Sequence, residues 1–277
     1  YKADIMQEGD EIVNGSETEI YTLQPQASLT VIDQSTGEVK AIVGGRGDKT
    51  ASKTLNRATD TTRQPGSTFK ILAAYSAALD AGGLTLASVQ DDAPYTYAGA
   101  NGKSVNNYDR RYRGFTTLRE AITDSINIVT VKTLAQAGVS LGWQYVQEYG
   151  FTTVDSRDMN EALALGGITQ GVSNLELTAA YAAIANQGTY IRPKFYTKIL
   201  APDGIVLIDN TTPESHTVIK DTTAWLLTSA MEDVMTSGPG PSAYFGSALA
   251  QAGKSGTTTS SRDALFAGFT PYYTCAV

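Results

Sequence analysis

Leu29-Thr30-Val31-Ile32-Asp33-Gln34-Ser35-Thr36-Gly37-Glu38-Val39-Lys40-Ala41-Ile42-Val43-Gly44-Gly45 is the stretch from which the fold is read. Leu29 and Val31, then Val39, Ala41 and Val43, recur at a spacing of two on either side of Gln34-Ser35-Thr36-Gly37. This is the pattern of two antiparallel strands joined by a turn, and Gly44-Gly45 ends it. The far end of the chain repeats the strand signal, at Ala248 to Ala252 and again from Leu265 to Val277. The middle is helical instead. Strands first, helices in the middle and strands last predict an α/β (α+β) fold, in which both chain ends form one antiparallel sheet packed against a helical layer.

The helices announce themselves by spacing and by caps. After Pro65-Gly66, the residues Phe69, Leu72, Ala73 and Leu79 fall at helical spacing, and Gly82-Gly83 closes the segment. Thr117 and Glu120 form a capping-box pattern ahead of a short helix. A second helical run through Val129, Val131 and Leu134 stops at Gly138, with Asp124-Ser125-Ile126-Asn127 between the two. Further helices are expected over Leu141–Tyr149, over Asn174–Asn186 behind a box made by Ser173 and Glu176, and over Thr222–Met235 with Asp221 as N-cap. Beyond Arg192-Pro193, the turn Pro202-Asp203-Gly204 separates two more strand-like runs. Residues 1–26 are polar and acidic without period, so they are expected to be a linker or the edge of an upstream domain, with residues 27–277 forming one domain. The chain begins at Tyr1 and stops within an apolar alternation at Thr274-Cys275-Ala276-Val277, which predicts a piece of a longer protein whose anchor or export signal lies elsewhere.

Composition narrows the function. Of 277 residues, 42% are apolar and 18% charged, enough to bury a core without staples. Twenty-one basic against 28 acidic side chains give a net charge of −7, which argues against a surface that grips nucleic acid. No stretch approaches the ~18 apolar residues that span a bilayer. One cysteine, Cys275, and one histidine, His216, exclude a disulfide framework and a Cys-based zinc site; both are expected to be structural. No metal and no cofactor are expected.

What remains is serine chemistry without a histidine. Ser67 and Lys70 stand three apart at the start of a helix, on one face of a turn. A serine hydroxyl needs a neighbour to remove its proton, and a lysine does so when burial and nearby positive charge lower its pKa. Taken alone, Ser-x-x-Lys also describes an ordinary polar first turn. Lys254-Ser255-Gly256-Thr257 lies in a strand-like context: Lys254 offers charge to a substrate carboxylate, Ser255 and Thr257 offer hydroxyls, and Gly256 admits a ligand backbone close to the strand. The same tetrad fits a plain surface hairpin. Ser125-Ile126-Asn127 supplies a hydroxyl and an amide at a helix junction; Ser104-Val105-Asn106 has the same form inside a polar loop and ranks second.

Ser-x-x-Lys, Ser-x-Asn and Lys-Ser-Gly in that order resemble the three active-site motifs of the serine penicillin-recognising enzymes. The wider chain is similar to the transpeptidase domain of bifunctional (class A) penicillin-binding proteins, and so to the β-lactamase/transpeptidase-like fold. The segments that carry this are Val31–Asp33, Gly37–Gly45, Gln64–Lys70, Leu163–Gly167, Glu176–Tyr181 and Asp263–Gly268, so that roughly residues 27 to 277 are covered. The resemblance implies that Ser67 is acylated by a peptidoglycan stem peptide, that Lys70 is its base, and that Ser125 relays the proton to the leaving D-alanine. It implies further that Asn127 holds the substrate amide, that Lys254, Ser255 and Thr257 bind the terminal carboxylate beside Gly256, and that the N–H groups of Ser67 and Thr257 form the oxyanion hole. β-Lactam antibiotics would acylate Ser67 covalently. Ser255 departs from the family's more usual threonine but keeps the hydroxyl. The glycosyltransferase domain of bifunctional members, and a last strand and helix, would lie outside this sequence. So would the anchor that holds such a protein at the outer side of the cytoplasmic membrane.

Two other readings share the motifs: a β-lactamase that hydrolyses the adduct, and a sensor domain that is acylated without turnover. One β-lactamase family deacylates with a glutamate followed four residues later by asparagine. The nearest candidate here, Glu161, is followed at that spacing by Leu165.

Overall fold

In the computed structural model, both ends of the chain meet in one sheet. Five antiparallel strands are β1 (Leu29–Asp33), β2 (Glu38–Val43), β3 (Ala252–Thr257), β4 (Ala264–Phe269) and β5 (Tyr273–Ala276), in the spatial order β3-β4-β5-β1-β2. The expected sheet therefore forms, joined where β5 pairs with β1 through Thr274↔Ile32 and Cys275↔Val31. The structure describes residues 14–15, 18–19, 25–49, 51–98, 102–258 and 262–277. The expected linker over residues 1–26 falls almost wholly outside these.

Two strand expectations are corrected. Residues 248–251 are not extended, and β3 starts only at Ala252. In β1 the buried side chains are Thr30 and Ile32, not Leu29 and Val31. A bulge in β2 also breaks the alternation of that strand. The β1–β2 register slips between Val31↔Ala41 and Ile32↔Val39, so Val39 joins Ile32 against the helices while Ala41 and Val43 turn to the exposed face. The apolar alternation reads straight through that slip. Thr30 is satisfied on the inner face by its hydroxyl donating to Asn174 Oδ1 at 2.6 Å.

The helical layer contains α1 (Ser76–Asp80), α2 (Leu118–Thr123), α3 (Asn127–Ala137), α4 (Val139–Glu148), α5 (Asn174–Ala185) and α6 (Asp221–Thr236). Both capping boxes close as expected, with Thr117 and Ser173 each accepting from the backbone N–H of a glutamate that reaches back. Asp221 is the first helical residue rather than the cap; Lys220 holds the cap position, tied by its N–H to Asp80 Oδ1. α5 lies under β1 and β5, and α6 under β3. The strand pair around Pro202-Asp203-Gly204 forms, as Lys198–Leu200 against Val206–Asp209, but stands apart from the main sheet.

The segment after Pro65-Gly66 is the largest local departure from expectation. It runs as a 3₁₀ turn at Gly66–Thr68, then a π-helix at Lys70–Tyr75, before α1. The N–H of Ser76 reaches back five residues to Ile71 O, and the Ser76 hydroxyl donates to the same carbonyl at 2.9 Å. Every residue from Phe69 to Ala78 is buried, so this is a central helix enclosed on all sides, for which an amphipathic stripe is the wrong template. Phe69 packs on Phe151 with ring centroids 5.0 Å apart.

Candidate active site

From Pro65 to Ala78, Ser67 is the one residue that is not buried. Two glycines bring it to the surface of the helix end. Gly66 has φ +55°, a conformation that L side chains rarely adopt, and a Cβ there would also sit 2.9 Å from Thr257 O. A Cβ on Gly256 would lie 2.6 Å from Pro65 O and 2.9 Å from Thr68 Cγ2. The expected close approach at Gly256 is thus filled by the protein's own Pro65–Thr68 turn rather than by a ligand. That contact sets β3 directly against the turn carrying Ser67. Tyr181, fully buried, donates to Thr68 O at 2.7 Å and holds the turn from below.

Lys70 and Lys254 are both completely buried, and they share one acceptor. Lys254 Nζ donates to Ser125 Oγ at 2.8 Å, and Lys70 Nζ lies 3.2 Å from the same oxygen. Lys70 also donates to Ser125 O and to Asn127 Oδ1, each at 2.6 Å. Burial, reinforced by the charge of Lys254, holds the Lys70 ammonium well below the usual lysine range. Burial alone brings Lys254 to about 7. Neither lysine has a carboxylate partner in these contacts, so nothing offsets the burial that favours the neutral amine at both positions. A neutral Lys70 accepts from the Ser125 hydroxyl while Lys254 donates to it, which makes a continuous proton path of the three groups.

Ser125 sits at φ +57°, the left-handed region, in the three-residue break between α2 and α3. The break turns its hydroxyl and its carbonyl toward the same lysine. Asn127 follows as the first residue of α3; its amide nitrogen donates to Asn106 O at 2.7 Å, leaving its second hydrogen for another acceptor. The runner-up Ser104-Val105-Asn106 is not a second site: Ser104 is exposed, in a small ladder with Tyr95–Thr96, and only the Asn106 carbonyl meets the motif. Along β3, Lys254 and Gly256 face the interior by the alternation of a strand, and Ser255 and Thr257 project from the accessible face. The hydroxyls of Ser67, Ser255 and Thr257 bond to no described residue.

Sequence reading did not find Asn107, Asp92 and Tyr181. Asn107 accepts from the Asn127 and Ile128 N–H groups at 3.0 and 3.2 Å, capping α3 from twenty residues away. No local signal exists for a cap supplied by a distant loop. Glu161 is 8% exposed and both of its carboxylate oxygens are engaged, by Tyr95 OH and by the Ala98 N–H, each at 2.9 Å. His216 and Cys275 lie apart from the motif residues; the imidazole meets Glu148 O at 2.8 Å on the strand Ser215–Thr217, and Cys275 is a half-buried thiol in β5. Among the described residues no cluster of His, Cys, Asp and Glu is arranged to hold a metal ion.

Known proteins resemble the chain over most of its length. The family model described as the penicillin binding protein transpeptidase domain matches residues 27–274. Penicillin-binding protein 1F of Bacillus subtilis is 39% identical over 258 residues, covering 91% of this chain and 34% of its own length. Penicillin-binding protein 1A of Clostridium botulinum is 35% identical over 268 residues, covering 92% and 32%. The chain thus spans about a third of the length of these curated relatives. The crystal structure of penicillin-binding protein 1A from Haemophilus influenzae superimposes with a TM-score of 0.78 at 26% identity, over 91% of this chain and 42% of that one.

Proposed function

The chain belongs to the penicillin-binding protein transpeptidase family, and from that premise we propose that it is a serine D,D-transpeptidase domain cross-linking peptidoglycan stem peptides. The observation that carries the reading is the pair of buried lysines on one serine hydroxyl, beside Ser67, the one residue from Pro65 to Ala78 that is not buried.

In the acylation step Lys70 Nζ takes the proton of Ser67, and Oγ attacks the carbonyl carbon between the two terminal D-alanines. Negative charge develops on the carbonyl oxygen, where the N–H groups of Ser67 and Thr257 meet it. The C–N bond then breaks. The Ser125 hydroxyl passes a proton to the departing amine and is itself replenished from Lys70, with Lys254 holding it in line. The terminal carboxylate rests against Ser255, Thr257 and the positive end of Lys254. The second hydrogen of Asn127 Nδ2 meets a substrate carbonyl. An acceptor amine reverses these steps and releases Ser67 with a new amide bond formed.

β-Lactams stop at the ester. Hydrolysis of that ester would need a base that aims water at it, and Glu161, the nearest candidate in sequence, has both oxygens occupied. This favours a synthase over a β-lactamase. The whole protein is proposed to work outside the cytoplasmic membrane, held by an anchor and joined to an upstream glycosyltransferase domain; no helix among the described residues is long and apolar enough to cross a membrane itself. Intact mass after incubation with penicillin tests the reading. One adduct per chain is expected, none on Ser67→Ala, and an acylated Ser67→Ala would sink the assignment.

A further inference from the structure

We propose that Asn107, oriented by Asp92, is the positioning residue that fixes Asn127 and, through Asn127, the base Lys70. The proposal rests on the transpeptidase reading above. Its starting point is a gap in α3. The first N–H groups of a helix need an acceptor, and the cap position before Asn127 is occupied by Ile126, whose side chain has none. Asn107 Oδ1 supplies it, accepting from Asn127 N at 3.0 Å and from Ile128 N at 3.2 Å.

The carboxamide is held in one orientation. Its nitrogen donates to Asp92 Oδ1 at 2.8 Å, to Asp92 Oδ2 at 3.0 Å and to Arg111 O at 2.8 Å. A carboxylate only accepts, so the NH₂ end must face Asp92 and the oxygen must face the helix. Asp92 has no exposure and Asn107 only 4%; the carboxylate is completed by the Arg113 N–H at 2.9 Å, with the Arg113 guanidinium 3.9 Å away. That guanidinium turns outward, to Asp109 at 3.0 Å and Asp124 at 3.9 Å. The preceding residue completes the grip: Asn106 O accepts from Asn127 Nδ2 at 2.7 Å, leaving Asn127 Oδ1 directed at Lys70 Nζ, 2.6 Å away. Asn127 is therefore held at its backbone and at its side chain by two consecutive residues of one loop. A buried carboxylate that touches nothing catalytic sets the aim of the catalytic lysine.

A charge swap separates positioning from plain capping. Asn107→Asp sets two buried carboxylates against each other, and Asp92→Asn removes the acceptor that dictates the amide orientation. In the double variant Asp92→Asn/Asn107→Asp, the carboxylate at 107 accepts from the helix and from the amide at 92, the Arg113 N–H keeps an acceptor, and Arg111 O alone loses its donor and faces a second acceptor, which leaves the recovery incomplete. Acylation of the full chain by a fluorescent penicillin is followed beside the thermal midpoint. Each single variant should fold and be acylated about 10²-fold more slowly, the cost of a misplaced catalytic group; the double variant should recover most of that loss. If a single variant unfolds, Asn107→Ser takes its place with the same expected loss. Folded single variants acylated at the parental rate, or a double variant no faster than the singles, would overturn the proposal while leaving the transpeptidase reading intact. An unmodified chain that takes no penicillin at all would remove both.

Discussion

Replacing Lys254 by methionine should move the acid limb of the acylation pH profile upward. Lys254 and Lys70 donate to the same Ser125 Oγ over 2.8 and 3.2 Å, so their nitrogens are no more than about 6 Å apart. Two unit charges at that distance repel by about 3 kcal/mol at an effective dielectric near 20, which is worth about two pKa units. The charge of Lys254 favours the neutral form of Lys70, so its removal lets Lys70 keep a proton to higher pH. Burial, the larger cause of the depressed Lys70 pKa, stays in place. Lys254 itself titrates at about 7, so the repulsion acts below neutrality, and the limb should rise by about one to two units. Methionine keeps most of the volume, and the position of the limb is read independently of the overall rate, which will fall with the carboxylate contact. The assay is the second-order rate of labelling by a fluorescent penicillin across about pH 5 to 10. A limb that stays in place, or moves to lower pH, would refute the coupling of the two lysines.

Gly256→Ala should force β3 away from the Pro65–Thr68 turn, costing about 1–3 kcal/mol of stability and slowing acylation with it; an alanine variant that melts and labels like the parent would show the contact to be soft. Between about pH 7 and 10, the unfolded chain binds more protons at positions 70 and 254 than the folded chain does, because both folded pKa values are depressed. Stability should therefore rise with pH across that window, by up to roughly 5 kcal/mol for Lys254 alone. Urea titrations at several pH values should show that slope reduced in Lys254→Met. The penicilloyl ester should persist for many minutes, and Glu161→Gln should leave its lifetime unchanged by mass spectrometry; a lifetime that lengthens would make Glu161 a deacylating base after all.

The parts of this molecule that a reader can find in the sequence are those held by neighbours along the chain. Thr117 with Glu120 and Ser173 with Glu176 mark helix starts because the reciprocal bonds span three residues. The three motifs are legible for the same reason. Long-range contacts leave no such mark. The bulge opposite Val31 and Ile32 puts Val39 against the helices and Ala41 on the exposed face of the same strand, although the apolar alternation is unbroken. The π-helical turn at Lys70–Tyr75 depends on being enclosed and on the hydroxyl of Ser76, and nothing in its residues distinguishes it from an ordinary helix. Gly256 reads as room for a ligand until the Pro65 carbonyl is seen to fill it. Asn107 looks like one more polar loop residue, and its role appears only when its loop is folded against α3.

The closure of the sheet by β5 against β1 bears on how the protein is made. Gln34 donates to Thr270 O across 236 residues of sequence, and Thr274 donates back to Gln34 Oε1 across 240. Contacts of that separation cannot form while the chain is still being extended, since one partner does not yet exist. The β1–β2 hairpin must wait, with its inner edge uncovered by its eventual neighbour, until β5 has emerged. Topologies dominated by such pairings fold slowly and expose strand edges meanwhile. Lys254 sits in the same late group of strands, so the enclosed lysine pair cannot form before β3 has emerged, and a chain cut off before β3 would carry Ser67 and Lys70 without the charge that primes them.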